Sequence, residues 1–135
     1  MKKIFLDTNI VLDFLDKKRP LHLQSKELIS MLTIEDYDIY ISEDMLSTIF
    51  YISKDKEKVL LFFETIIKKW SVVPYGVALI SEAVERCKEN KGQDLEDTLQ
   101  CLCAKEHDCT YIVTSDEGFV DCGIEVVNYN SMLIE

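Results

Sequence analysis

Short apolar, β-branched runs recur along this chain, each separated from the next by a helix-length amphipathic stretch. That alternation restricts the fold more than any other feature. Lys3–Leu6, Asp38–Ser42 (DIYIS), Tyr111–Thr114 (YIVT) and Glu125–Val127 have strand character, and Val72–Val73 is a brief run stopped by Pro74. Helical patterning covers Asn9–Asp16, Pro20–Leu32, Asp44–Ser53, Lys56–Trp70, Val77–Glu89 and Asp94–His107. Strands alternating with helices imply α/β layers around a mostly parallel sheet. Four glycines, two prolines and no linker or repeat in 135 residues predict a single domain spanning 1–135.

In a parallel α/β sheet, ligands sit beyond the carboxyl ends of the strands. That rule gives meaning to Asp7, which ends the run Ile4-Phe5-Leu6, and to Thr114-Ser115-Asp116, which leaves YIVT in the same way. Taken alone, Asp7 serves equally well as a helix cap and Asp116 as a turn residue. A third acid lies on DLEDTLQCLCAKEHD. Leu95, Leu99, Leu102 and Cys103 form its core stripe, and Asp97 aligns with Cys101 and Ala104 on a second line. Asp94 reads as the N-cap of this helix, and Glu96 is expected to point elsewhere, into solvent. Acids that converge at one end of a sheet repel one another, and the cluster becomes favourable only with a cation between them. Carboxylate oxygens without neighbouring His or Cys suit Mg²⁺ or Mn²⁺ better than zinc.

Charge and cysteine content bound the remaining choices. Twenty-five acids against 15 bases leave a net charge of −10, which argues against broad electrostatic binding of nucleic acid. Five cysteines without a C-x-x-C pair suit reduced thiols in a bacterial-type cytoplasm. No apolar run approaches the ~18 residues of a membrane span, and the N-terminus lacks a signal-peptide pattern.

These stretches together resemble the PIN-domain family, notably its VapC-like toxin ribonucleases. IFLDTNIVLDFL is similar to the family's first strand and acid–Thr–Asn turn. DLEDTLQCLCAKEHDCTYIVTSDEGF is similar to its closing helix–strand–acid unit, and YISEDMLSTIFYI carries its strand-to-helix rhythm. The resemblance implies a three-layer α/β/α fold with about four or five strands. It also implies a metal-dependent endoribonuclease hydrolysing RNA phosphodiester bonds, the toxin of a toxin–antitoxin pair. By position, Asp7, Asp97 and Asp116 match the metal-site acids, Thr114 a hydroxyl beside the site and Asn9 a brace for the first turn. Asp94 has an auxiliary role in a neighbouring subfamily. One departure stands out. The family's further acid, on the helix after the second strand, is replaced by Thr48, with Asp44 one turn earlier as the candidate substitute.

Two alternatives stay open at this level: a PIN-fold RNA- or protein-binding module with weak or no catalysis, and a phosphatase with Asp7 as nucleophile. RNA is the expected substrate, and Lys17, Lys18 and Arg19 form either a solvated turn or a hold on flanking phosphates. The helix Lys56–Trp70 carries more apolar surface than one buried stripe needs, a candidate face for an antitoxin or a homodimer partner.

Overall fold

The computed structural model describes residues 2–133. Its centre is one five-stranded, all-parallel sheet, built from β1 (Lys3–Leu6), β2 (Asp38–Ser42), β3 (Ser71–Val73), β4 (Tyr111–Val113) and β5 (Glu125–Val127) in the order β3-β2-β1-β4-β5. Between them run α1 (Thr8–Leu15), α2 (His22–Ile34), α3 (Asp44–Ile52), α4 (Lys56–Lys69), α5 (Val77–Glu89) and α6 (Leu95–Glu106), with α7 (Tyr129–Leu133) after β5. The expected elements are present, with ends shifted by a residue or two.

A strand covered on both faces must be apolar throughout. Accordingly Ile4, Phe5 and Leu6 of β1 are fully buried, as are Ile41 of β2 and Ile112 and Val113 of β4. From β1 the chain steps outward through β2 to β3. It then returns over the sheet to β4, on the other side of β1. With right-handed crossovers this reversal puts α5 and α6 on the face opposite α1–α4. The reversal falls at the β1/β4 boundary, where a crevice opens at the carboxyl ends of the strands.

The helices that feed β2 and β4 stop in the same way. After α2, Asp36 adopts φ 60, and after α6, Asp108 adopts φ 58. In each case the next amide closes back on the helix, Tyr37 to the Leu32 carbonyl and Cys109 to the Ala104 carbonyl, both at 2.9 Å. This is the left-handed stop that usually takes glycine; here aspartate fills it, a residue tolerant of that region.

Two expectations need correction. Leu95 does not join the core stripe: it is 45% exposed, while Thr98, Gln100, Cys101, Leu102, Cys103 and Ala104 are buried. The C-terminal part of α6 is enclosed on most sides, so a one-stripe reading loses its phase there. The cysteines are not all reduced. Cys101 of α6 is bonded to Cys122, 21 residues later in the loop before β5. Their spacing gave no sign of this, because a helix and a loop from separate segments supply the two sulfurs. Cys87, Cys103 and Cys109 remain thiols, and burial pushes Cys103 and Cys109 up to about 12, which leaves them unreactive.

Candidate active site

Asp7 stands at the N-cap position of α1, yet its side chain makes no cap hydrogen bond. It turns instead toward β4: Thr114 Oγ1 donates to Asp7 Oδ2 at 2.7 Å, and the Asp7 amide donates to the Val113 carbonyl at 2.9 Å. Asp7 is 5% exposed and Thr114 3%. Burial raises the Asp7 carboxyl above its ordinary range. Hydrogen bonds from Thr114, the Thr8 amide and Gln100 oppose that rise, and the charge of Asp116 adds to it.

Thr114 also orders the next acid. Its hydroxyl accepts the Asp116 amide at 3.0 Å, and Asp116 Oδ1 accepts the Gly118 amide at 2.9 Å. Asp116 therefore forms a turn and still acts on both other acids.

Asp97 lies in the first turn of α6. Asp94 is the N-cap, its Oδ1 accepting the Asp97 amide at 2.9 Å. Burial, followed by the charges of Asp94, Asp7 and Asp116 and a hydrogen-bonding contribution from Asp116, pushes Asp97 up to about 7. Residues 7, 97 and 116 thus share one electrostatic neighbourhood. Among the described residues, no three acid, histidine or cysteine side chains already stand at cage spacing around one point. The arrangement is a set of neighbouring, mutually repelling carboxylates. Their oxygens are hard donors that fit Mg²⁺ or Mn²⁺, and the repulsion on Asp97 is what a divalent cation would relieve.

Two residues escaped the sequence reading. Glu96 is exposed as expected, yet its carboxylate points back toward α1. Its Oε2 accepts from Thr8 Oγ1 and Gln100 Nε2, both at 3.2 Å. Burial and the charges of Asp44, Asp7 and Asp94 raise its carboxyl, with the Thr8 hydrogen bond acting against them. Gln100 is fully buried and bridges α6 to Thr8 Oγ1 at 3.1 Å; its Oε1 is buried without a hydrogen-bond partner. The i, i+4 spacing of Glu96 and Gln100 was the available signal for a polar ridge beside the Asp97 line.

Asp44 begins α3, where Ser42 Oγ donates to its Oδ1 at 2.6 Å, and its charge reaches Glu96. Thr48 is exposed and bonds back to the Asp44 carbonyl at 3.5 Å. Asn9 is exposed, and its Oδ1 meets Arg19 Nη2 at 3.5 Å. A cleft of about 470 Å³ opens beside Thr114 and Asp116, walled by Leu21, Gln24, Asn128 and Tyr129.

A model of the PIN domain family matches residues 4–124. The chain belongs to the PIN domain family. Among PIN relatives, Ribonuclease VapC1 of Aquifex aeolicus (strain VF5) is 34% identical over 129 residues, covering 93% of this chain and 90% of that protein. The PIN fold is shared with the crystal structure of Mycobacterium tuberculosis VapC20, a sarcin-ricin loop cleaving toxin. The TM-score there is 0.72 at 14% identity, over 90% of this chain and 95% of the other. It is shared also with a chain of DNA-bound VapBC from Salmonella typhimurium, at TM-score 0.70 and 20% identity, over 96% and 99%.

Proposed function

We propose that this PIN-domain protein is a divalent-metal-dependent endoribonuclease, with Asp7, Asp97 and Asp116 as the carboxylates that hold Mg²⁺ or Mn²⁺. The observation that carries the reading is the electrostatic load on Asp97, where the charges of Asp7 and Asp116 both act on an acid already raised by burial. The likeness to Ribonuclease VapC1 supports RNA as the substrate class.

When bound there, a divalent cation lowers the pKa of a water and offsets charge at the phosphorus transition state. The chain's own groups do the positioning. Thr114 holds Asp7 Oδ2 and sets the turn that presents Asp116, so both carboxyls would be oriented for a cation. Asp94 caps α6 and so fixes the backbone that carries Asp97. Gln100 and Glu96 hold the Thr8 hydroxyl at the start of α1, beside Asp7. Asp44, on the Glu96 side, supplies the negative charge that Thr48 lacks.

The role proposed is that of a toxin paired with an antitoxin, acting in the cytoplasm. No helix among the described residues is long and apolar enough to cross a membrane. VapBC complexes among the structural neighbours support an antitoxin partner. So does the outer side of α4. Val59, Phe63 and Ile66 are buried, but Leu60, Leu61 and Ile67 are exposed and form a shallow groove rimmed by Glu57 and Glu64. A homodimer would use the same kind of surface.

The test is cleavage of RNA in Mg²⁺ or Mn²⁺ by the wild type, lost in Asp97→Asn with the melting curve retained. No cleavage of any RNA in either metal overturns the nuclease reading. Calorimetric Mn²⁺ binding without turnover would favour the binding-module alternative, to which the absence of an acid at Thr48 lends weight.

A further inference from the structure

In a chain of net charge −10, one groove is basic. It lies between the end of α1 and the α3–α4 turn, encloses about 280 Å³, and is lined by Lys17, Lys18, Arg19, Lys54 and Lys58. Asp16 and Asp55 also line it, but both carboxylates are engaged by backbone amides. Asp16 Oδ1 accepts the Lys18 amide at 2.9 Å and Asp55 Oδ1 the Lys58 amide at 3.1 Å. Among the described residues, Lys17, Lys18 and Lys54 take part in no ion pair. Even with those two aspartates counted, the lining holds five bases against two acids, an excess of positive charge in a chain whose net charge is −10.

Arg19 ties this groove to the acids. Its Nε donates to Asp13 Oδ1 at 2.7 Å, and the other oxygen of that buried aspartate accepts from Tyr129 OH at 2.8 Å. So mounted, the guanidinium is not a free surface arm. Its Nη2 reaches Asn9, two residues beyond Asp7, at 3.5 Å. The groove itself lies beside Leu12, Leu15 and Asp16, at the far end of α1 from Asp7; α1 is an eight-residue helix about 12 Å long, and the Arg19 side chain spans part of that distance back to Asn9. Tyr51, which precedes groove-lining Ile52 on α3, is 86% exposed and offers a free aromatic ring near the groove.

We propose that this groove receives the phosphodiester backbone of single-stranded RNA flanking the cleaved bond, with Tyr51 stacking on a base. The assignment rests on the ribonuclease reading above. Cations that track a backbone beside an exposed aromatic ring are the means by which single strands are held without sequence readout. A groove this small takes one strand and not a duplex. Arg19 places one phosphate at the edge of the acids, and the lysines hold the next ones.

The experiment uses a fluorescent single-stranded RNA and the uncleaving Asp97→Asn protein, titrated over a range of salt. The triple variant Lys17→Gln/Lys18→Gln/Lys54→Gln in that background is expected to bind more weakly. Its slope of log K against log salt should fall by about 2, at ~0.7 per lost phosphate contact. Tyr51→Ala is expected to weaken binding about tenfold with the slope unchanged. Unchanged melting temperature and unchanged Mn²⁺ affinity in otherwise wild-type protein would assign both effects to the groove. If wild type cleaves RNA while the triple variant keeps affinity and slope, the groove proposal is overturned and the nuclease reading stands. If polyglutamate binding, and not RNA binding, is lost in the triple variant, the groove belongs to an acidic protein segment and the proposal is overturned. If wild type neither binds nor cleaves RNA, both readings fall together.

Discussion

The acidic site has two halves that are held in different ways. Asp7 and Thr114 end adjacent strands at the centre of the sheet; both are buried and joined by a 2.7 Å hydrogen bond. Asp97 and Asp116 sit on a helix turn and a loop, with more access to solvent, and Asp97 is raised to about 7 by burial and its neighbours' charges. The strand half is preorganised by backbone pairing. The helix half is a pair of like charges on a capped helix turn and a hydrogen-bonded loop, with Asp97 raised by its neighbours, so its electrostatics answer to whatever neutralises it. On the proposed function, such a site keeps one rigid reference point while the remaining carboxylates would close on a cation.

The comparison can be broken most severely at the charges themselves. Asp7→Asn and Asp97→Asn should each reduce RNA cleavage by at least ~100-fold, the scale for removing a group that stabilises charge in a transition state. Single-turnover cleavage in Mn²⁺ measures this, and near-wild-type rates in either variant would remove that residue from the site.

Thr114→Val attacks the rigid half only. It deprives buried Asp7 of its side-chain donor, so it should cost ~1–3 kcal/mol of stability. It should also lower Mn²⁺ affinity ~10- to 100-fold, as loss of an orienting partner does. Urea denaturation and calorimetry report the two effects separately. Unchanged metal affinity would show that Thr114 is a strand-end packing residue and nothing more.

The disulfide tests how the halves are joined. Cys101 lies one turn beyond Asp97 on α6, and Cys122 follows the loop that starts at Asp116. Reduction, or Cys122→Ser, should lower stability by ~2–4 kcal/mol through the reopened loop. Activity should fall less than in the acid variants, since the strand half is untouched. Melting with and without a dithiol reductant checks this.

The smallest effect sharpens the electrostatic side. The folded state holds the Asp97 proton more tightly than the unfolded chain does, about 7 against 3.8. This group therefore contributes stability that is full below pH 3.8 and is lost as pH rises through about 7. In metal-free protein, Asp97→Asn should melt a few degrees above wild type at pH 8 and show little advantage near pH 4. Saturating Mg²⁺ should stabilise wild type, not the variant, and erase that advantage. A melting difference that is flat across this pH range would mean that the acids do not repel in solution.

Much of this was open to a reader of the sequence, and the reasons differ by residue. Apolar runs bounded by acids located β1 and β4, because strands buried on both faces leave a continuous hydrophobic trace. Asp94 was legible as a cap, since its amide partner lies three residues away. Glu96 and Gln100 were not. Glu96 sits about 100° around the helix from Asp97, and only its long side chain brings the carboxylate back to Thr8, a contact 88 residues distant in sequence. The Cys101–Cys122 bond and the Asp13–Arg19–Tyr129 mount were hidden for the same reason: each joins segments that meet only once the sheet has formed.

The strand order β3-β2-β1-β4-β5 has a further consequence. The central strand β1 precedes β2 in the chain, yet its other neighbour, β4, comes only after three more crossover helices and α6, together with Asp97 and Asp116. A nascent or prematurely terminated chain therefore carries Asp7 on an unflanked edge and has nothing to set against it. On the proposed function, a chain cut short before residue 97 keeps Asp7 but lacks Asp97, Thr114 and Asp116, and it is expected to cleave no RNA.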